Sequence, residues 1–270
     1  MSETAKNLAD TAATDELNTS QEEFFVELLN SSVISAMQVG YLSCGLELQI
    51  DAANRLADLL QQINAMLGEA IHSENESKAN ELCVSQMFLY GCYQFLCVWI
   101  HAKQGEMRAS WDALVDSQVA IENGLEHRNL EGYRRFLWHL AQVELVLFPA
   151  QIFTSSSIQF RMAICTICGE EYGECGHVSG RLYMGRECGM RVQDIDQINH
   201  QAVVAIPKDK GCRFVSFQSG KEIIDCLTRR VISKNDFAEE GKNNAEVILF
   251  REKREMQVFR FEQLSKEHPS

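Results

Sequence analysis

Residues 82–100, LCVSQMFLYGCYQFLCVWI, run for 19 positions without a charge. That length is enough to cross a bilayer, or to fill the centre of a helical bundle. Ser85, Gln86, Gly91, Gln94 and the tyrosines at 90 and 93 decide between them. Lipid tolerates so many mid-span polar groups poorly, whereas neighbouring helices can satisfy them. The expectation is a helix buried on all sides, with Cys83, Cys92 and Cys97 as small core residues and no membrane partner.

On the N-terminal side, Leu56, Leu59, Leu60, Ile63 and Leu67 fall at i, i+3, i+4 spacing and predict an amphipathic helix. Before it, Ser20 and Glu23 form a capping box leading into an apolar stripe at Phe24, Phe25, Leu28, Leu29 and Val33. Gly68 and the polar run HSENESKAN (72–80) read as a connection, making these two helices a hairpin. On the other side, Gly105 ends the central helix. MRASWDALVDSQVAIENGLEH (107–127) supplies the next, with Trp111, Leu114 and Val119 or Ala120 inward and Gly124 at its exit. YRRFLWHLAQVELVLF (133–148) follows and is stopped by Pro149. AKQGEMRASWDAL (102–114) faintly echoes a tetratricopeptide pattern, but the phasing fails, so a plain bundle is expected. His101 and His139 lie in apolar helices and read as satisfied core histidines.

The texture changes after Ile152. SSSIQFRMAICTICG (155–169) alternates like a strand entering a turn, and residues 198–218 read as two strands joined at Pro207–Gly211. KEIIDCLTRRVI (221–232) suggests a helix. The segment AEVILFREKREMQVFRFEQL (245–264) fits either two strands or one charged helix. The expected fold class is α+β: an all-α bundle followed by a smaller mixed α/β module. The expected organisation is a disordered tail over 1–20, a helical domain over 21–155 and a metal-binding domain over 156–270.

Charge follows the same division. The chain carries a net charge of −13 over 270 residues. Residues 1–150 hold 21 Asp and Glu against 8 Lys and Arg, and residues 151–270 hold 17 of each. So acidic a front half repels phosphate backbones, which argues against nucleic acid there and points to a protein partner. The first 20 residues are small, polar and acidic, unlike a signal or transit peptide, so a cytoplasmic protein with reduced cysteines is expected.

Reduced cysteines that cluster favour a metal over disulfides. Residues 165–188, CTICGEEYGECGHVSGRLYMGREC, contain four cysteines and one histidine. Cys165 and Cys168 stand three apart and are followed by Gly169, the form of a zinc knuckle, in which glycine permits the tight turn. Cys175-Gly-His177 adds a second short pair. Cys165, Cys168, Cys175 and His177 thus make a Cys₃His set for tetrahedral Zn²⁺, with Cys188 competing for the place of His177. Short pairs close small loops at low entropic cost, which favours His177. Four protein ligands leave no open position for water, so the ion is expected to be structural.

The segment resembles a Cys-rich zinc module recurring in uncharacterised bacterial and tailed-phage proteins. The likeness rests on Cys165, Cys168, Gly169, Cys175, His177, Gly180, Tyr183, Gly185 and Cys188, with Cys212 in a downstream strand, and covers about residues 160–215. It implies a zinc site and a bacterial or phage setting, with phage defence as one such setting, and no activity. The expected function is a non-enzymatic interaction component. Two others compete. In an HNH-like nuclease His177 would be the general base nine residues after Cys168, but Gly176 occupies the usual Asp position and no second C-x-x-C follows. In a nucleic-acid binder Arg161, Arg181, Arg186 and Arg191 would meet phosphates, but Glu170, Glu171, Glu174 and Glu187 offset them. No phosphate-binding glycine loop or nucleophile elbow occurs elsewhere.

Overall fold

The computed structural model describes residues 31, 33–234, 244–249, 256 and 260–261. The tail over 1–20 and the capping box at Ser20 lie outside the described residues, as does most of the stripe after it.

Residues 33–39 are helical, and four long helices follow: α1 (Leu46–His72), α2 (Glu76–Gln104), α3 (Met107–His127) and α4 (Glu131–Leu147). The uncharged stretch lies in α2. Every residue from Leu82 to Ile100 except Ser85 is buried, with α1 and α3 packed alongside. Its polar groups find protein partners: Gln94 Nε2 donates to Tyr90 Oη at 2.7 Å, and Gln86 donates to Asn64. Burial pushes the thiols of Cys83, Cys92 and Cys97 up to about 11, 12 and 12, so they stay protonated. Among the described residues α2 is the one helix long and apolar enough to cross a membrane, and it is the helix the bundle encloses.

Glycine sets how closely α2 and α3 approach. A Cβ at Gly91 would meet Ile121 Cδ1 at 2.5 Å, and the Gly91 carbonyl accepts a bond from Ser117 Oγ at 2.7 Å. Gly124, expected at a helix exit, is instead interior to α3, where a Cβ would sit 2.6 Å from the Phe88 ring. Its role is close packing, which outweighs its low helix propensity. The polar run over 72–80 is likewise mostly helix. Asn75 caps α2 by accepting from Lys78 N–H at 3.1 Å, leaving a three-residue connector. Gly105, with φ of 81°, does end α2.

The remainder is antiparallel sheet, so the layout is α+β with its helices first. β1 (Phe153–Cys165) and β4 (Met190–Val204) form a long two-stranded ribbon. Between them lies a two-residue-stranded hairpin, β2 (Leu182–Tyr183) and β3 (Arg186–Glu187). β5 (Phe214–Ser219), β6 (Glu222–Asp225), β7 (Val231–Lys234) and β8 (Ala245–Val247) make a second sheet in the order β7-β6-β5-β8. Along the ribbon Ile158 faces Ile198 and Phe160 faces Ile195, cross-strand apolar pairs that shield one another where no other layer covers them.

The helix expected over 221–232 is absent. Asp225 Oδ1 accepts bonds from the N–H groups of Leu227 and Thr228 at 3.0 and 2.7 Å, closing a turn. Ile223 and Ile224 before that turn, and Val231 and Ile232 after it, then extend as β6 and β7. Local side-chain capture of the backbone and four β-branched residues override the helical spacing.

Trp111 of α3 joins the halves. It is fully buried, its ring meeting Phe148 edge-on at 5.1 Å and stacking on Phe153 at 6.2 Å. Its indole N–H donates to Lys210 O at 3.3 Å, and the buried guanidinium of Arg213 lies 5.5 Å from the ring centre. Phe153 and Leu227 belong to the same apolar cluster as the helices. Replacing Trp111 by Ala is expected to lower the unfolding free energy by about 3–5 kcal/mol. The exposed Trp138 is the control, its replacement by Ala costing within about 0.5 kcal/mol. Urea melts followed by far-UV circular dichroism compare the two.

Candidate metal centre

The ribbon delivers β1 to the cysteine cluster. Where β1 ends, the chain reverses: Gly169 N–H donates to Cys165 O at 2.9 Å, and Gly169 takes a φ of 79° that a side chain would strain. The turn aims backbone donors at sulfur, with Ile167 N–H 3.4 Å from Cys165 Sγ. The Cys168 N–H does most to hold the Cys165 thiol down, to about 6, against the effect of burial, with Ile167 adding to it. A thiol so surrounded is prepared to bind metal as the thiolate.

A second loop closes over the first. Thr166 N–H donates to Gly189 O at 3.0 Å, and Gly189 N–H returns a bond to Thr166 Oγ1 at 2.8 Å. Cys188 N–H donates to Arg181 O and Gly180 N–H to Cys188 O, both at 2.8 Å. The intervening residues carry Cys175 and His177 to the same place. The ligand atoms of Cys165, Cys168, Cys175 and His177 all lie within 4.8 Å of one another, an arrangement that can hold a metal ion. His177 Nδ1 is buried and has no hydrogen-bond partner in the protein, an orphan that suits a coordination site. Its ring stands edge-on to Tyr183 at 4.7 Å, and Tyr183 Oη accepts from Val178 N–H at 3.0 Å. These contacts fix the imidazole in the cluster, whereas the nuclease reading would hold it apart from the cysteines.

Cys188 is also at the site. Its sulfur is buried and lies 3.7 Å from Cys165 Sγ. Zn–S bonds of about 2.3 Å meeting tetrahedrally put neighbouring sulfurs about 3.8 Å apart, so this pair has the separation of two ligands of one ion. Burial, and then the neighbouring sulfur, push the Cys188 thiol up to about 11. Cys188 therefore adjoins the cluster through Cys165, while the four atoms that all lie within 4.8 Å of one another are those of Cys165, Cys168, Cys175 and His177. Cys212 does not join them, its Sγ facing Asp209 Oδ2 at 3.9 Å. Of the arginines considered for phosphate contact, Arg161 is paired with Asp196, and Arg181, Arg186 and Arg191 are exposed.

The sequence reading missed what seats this centre on the bundle. Met184 and Gly185 both take positive φ, 47° and 71°, forming the tight turn between β2 and β3. Gly185 N–H donates to Asn80 Oδ1 at 2.8 Å, while Asn80 Nδ2 donates to Leu182 O at 3.3 Å. A Cβ at Gly185 would stand 2.6 Å from Leu67 Cδ1 and 3.2 Å from Ala79 O. Gly185→Ala is expected to cost about 1–3 kcal/mol through backbone strain and overlap. Asn80→Ala removes both bonds. Either change should speed hydrogen exchange across residues 180–189 while the far-UV helical signal holds; unchanged exchange would refute the docking role.

Neither a family model, nor a curated protein, nor a solved structure matches this chain, so the metal centre stands on its own donor chemistry and geometry.

Proposed function

We propose that the cluster binds one structural Zn²⁺ through Cys165, Cys168, Cys175 and His177, and that the protein is a non-enzymatic interaction component. The observation carrying the metal assignment is the convergence of three thiols and an imidazole within 4.8 Å. Three sulfurs and one nitrogen are a donor set zinc favours, and full occupation by protein leaves no place for a reacting water. Zinc would fasten the tip of the ribbon where Asn80 and Leu67 receive it, completing a rigid body. The acidic helical half would then meet a protein partner, its charge discouraging nucleic acid. A bacterial multi-component system, with phage defence as one setting, is the context the resemblance of the cysteine segment suggests.

A second ligand set has its own support, the 3.7 Å separation of Cys165 and Cys188. There four thiolates hold the ion and His177 lies outside it. The two sets separate by mutation. Metal analysis of the purified chain should return one zinc per chain, and Cys165→Ser or Cys168→Ser should abolish it. With His177 as ligand, His177→Ala weakens zinc affinity at least 10-fold while Cys188→Ser leaves it nearly unchanged; the four-sulfur set reverses that order. Stripping the metal with a chelator should expose residues 165–189 to proteolysis and leave the helices intact. A chain that purifies without metal and takes up none from a zinc titration would overturn the proposal.

A further inference from the structure

The acidic bundle already holds two residues of the chain, Arg260 and Phe261, and the manner of holding is specific. Asn54 on α1 donates from Nδ2 to Phe261 O at 3.0 Å and accepts from Phe261 N–H at 2.9 Å through Oδ1. One carboxamide thus satisfies both backbone groups of a single residue, as a neighbouring strand would. One helical turn further on, Asp58 pairs with Arg260. The Phe261 ring packs against the apolar core and meets His101 edge-on at 5.9 Å. Backbone, cation and aromatic ring are each read by a different group on α1 or α2.

The surface extends beyond those contacts. Glu47, Asp51, Asn54 and Asp58 fall at i, i+4, i+7 and i+11 and share one face of α1. The sequence over residues 251–260, ending on the held Arg260, is basic, with Arg251, Lys253, Arg254 and Arg260 against Glu252 and Glu255. An acidic helical stripe with a central asparagine thus complements a basic extended chain bearing an aromatic residue.

We propose that this face is a peptide-docking site, occupied in the structure by the chain's own Arg260-Phe261. The external ligand it fits is an extended segment of a partner protein in which a basic residue precedes an aromatic one. The tail acts as an internal competitor: a partner segment must displace it, so free tail and bound partner exclude each other. This rests on the reading of the helical half as a partner-binding domain, and names the partner's chemistry. It does not depend on which residues ligate zinc.

The test uses a fluorescein-labelled peptide of residues 256–264, MQVFRFEQL. It is titrated onto the full-length chain and onto a full-length Arg260→Glu, Phe261→Ala variant, with fluorescence anisotropy as the readout. The variant, relieved of its own tail, should bind at least 10-fold more tightly than the wild type. Adding Asn54→Ala to it should weaken binding at least 10-fold, and a peptide with Arg260→Glu should bind no better than background. Equal binding by wild type and variant, or binding indifferent to Asn54, would overturn the proposal. Should the variant lose its helical circular dichroism, wild type and Asn54→Ala are compared at peptide concentrations that outcompete the tail. A difference then supports the site, and none overturns it. Zinc content is measured on every sample: a metal-free chain that still binds peptide through Asn54 removes the zinc assignment alone, and a zinc-loaded chain that does not bind removes this site alone.

Discussion

A buried guanidinium lying over a buried indole is the contact on which the two halves depend. Arg213 and Trp111 are both almost wholly removed from solvent. Burial lowers the affinity of Arg213 for its proton, with Asp112 and Asp225 working in the opposite sense. A cation moved out of water is costly unless its neighbours compensate. Here the π face of Trp111, the Phe214 carbonyl accepting from Nη1 at 3.0 Å, and nearby carboxylates do so. Through this joint Trp111 of α3 and Arg213, which bridges to Phe153 just before β5, share one environment, and the apolar cluster continues from the bundle into β1. The sheets are therefore seated on the helices through a common core.

From that joint β1 and β4 run along the bundle to its other end. Trp111 lies in the first turns of α3, whereas Asn80, which receives the hairpin tip, lies in the first turns of α2. Helices joined by so short a turn run antiparallel, so these two anchors are at opposite ends. The cysteine and histidine cluster sits at the second anchor, where apolar cover is thinner: Cys168 is exposed and Cys175 and His177 are half-buried. A site with little hydrophobic cover is where ligation can contribute most to order.

The central helix and the grouping of Cys165, Cys168, Cys175 and His177 were legible because each depends on local sequence. Nineteen uncharged residues with scattered polar groups favour a buried helix with internal partners over a membrane span, and C-x-x-C-G favours its own turn. Gly124 was misread because a helix-breaking residue and a close-packing residue look identical until Phe88 is known to lie across from it. Residues 221–232 were misread because helical spacing competed with an Asp225 turn that acts through only three groups. Neither Asn80 nor Asn54 carried any signal, since an asparagine that grips the backbone of a segment over 100 residues away has no local signature. Cys188 was legible as a candidate, but its placement beside Cys165 was not, because that depends on bonds linking two loops.

The ribbon between the two anchors behaves as a ruler. Each residue of a strand advances the chain by about 3.3 Å and reverses the side to which its side chain points. Pairing is regular where Phe153–Ser157 faces His200–Val204, and its register shifts between Ser157 and Ala163. Loss or gain of a single residue in the regular stretch would therefore move Gly185 relative to its seat on Asn80 and turn the side chains beyond it to the opposite face. Over evolutionary time such changes in length should fall in the loop over 169–180, in the segment after β4 or at the irregular positions, where an extra residue can be taken up as a bulge.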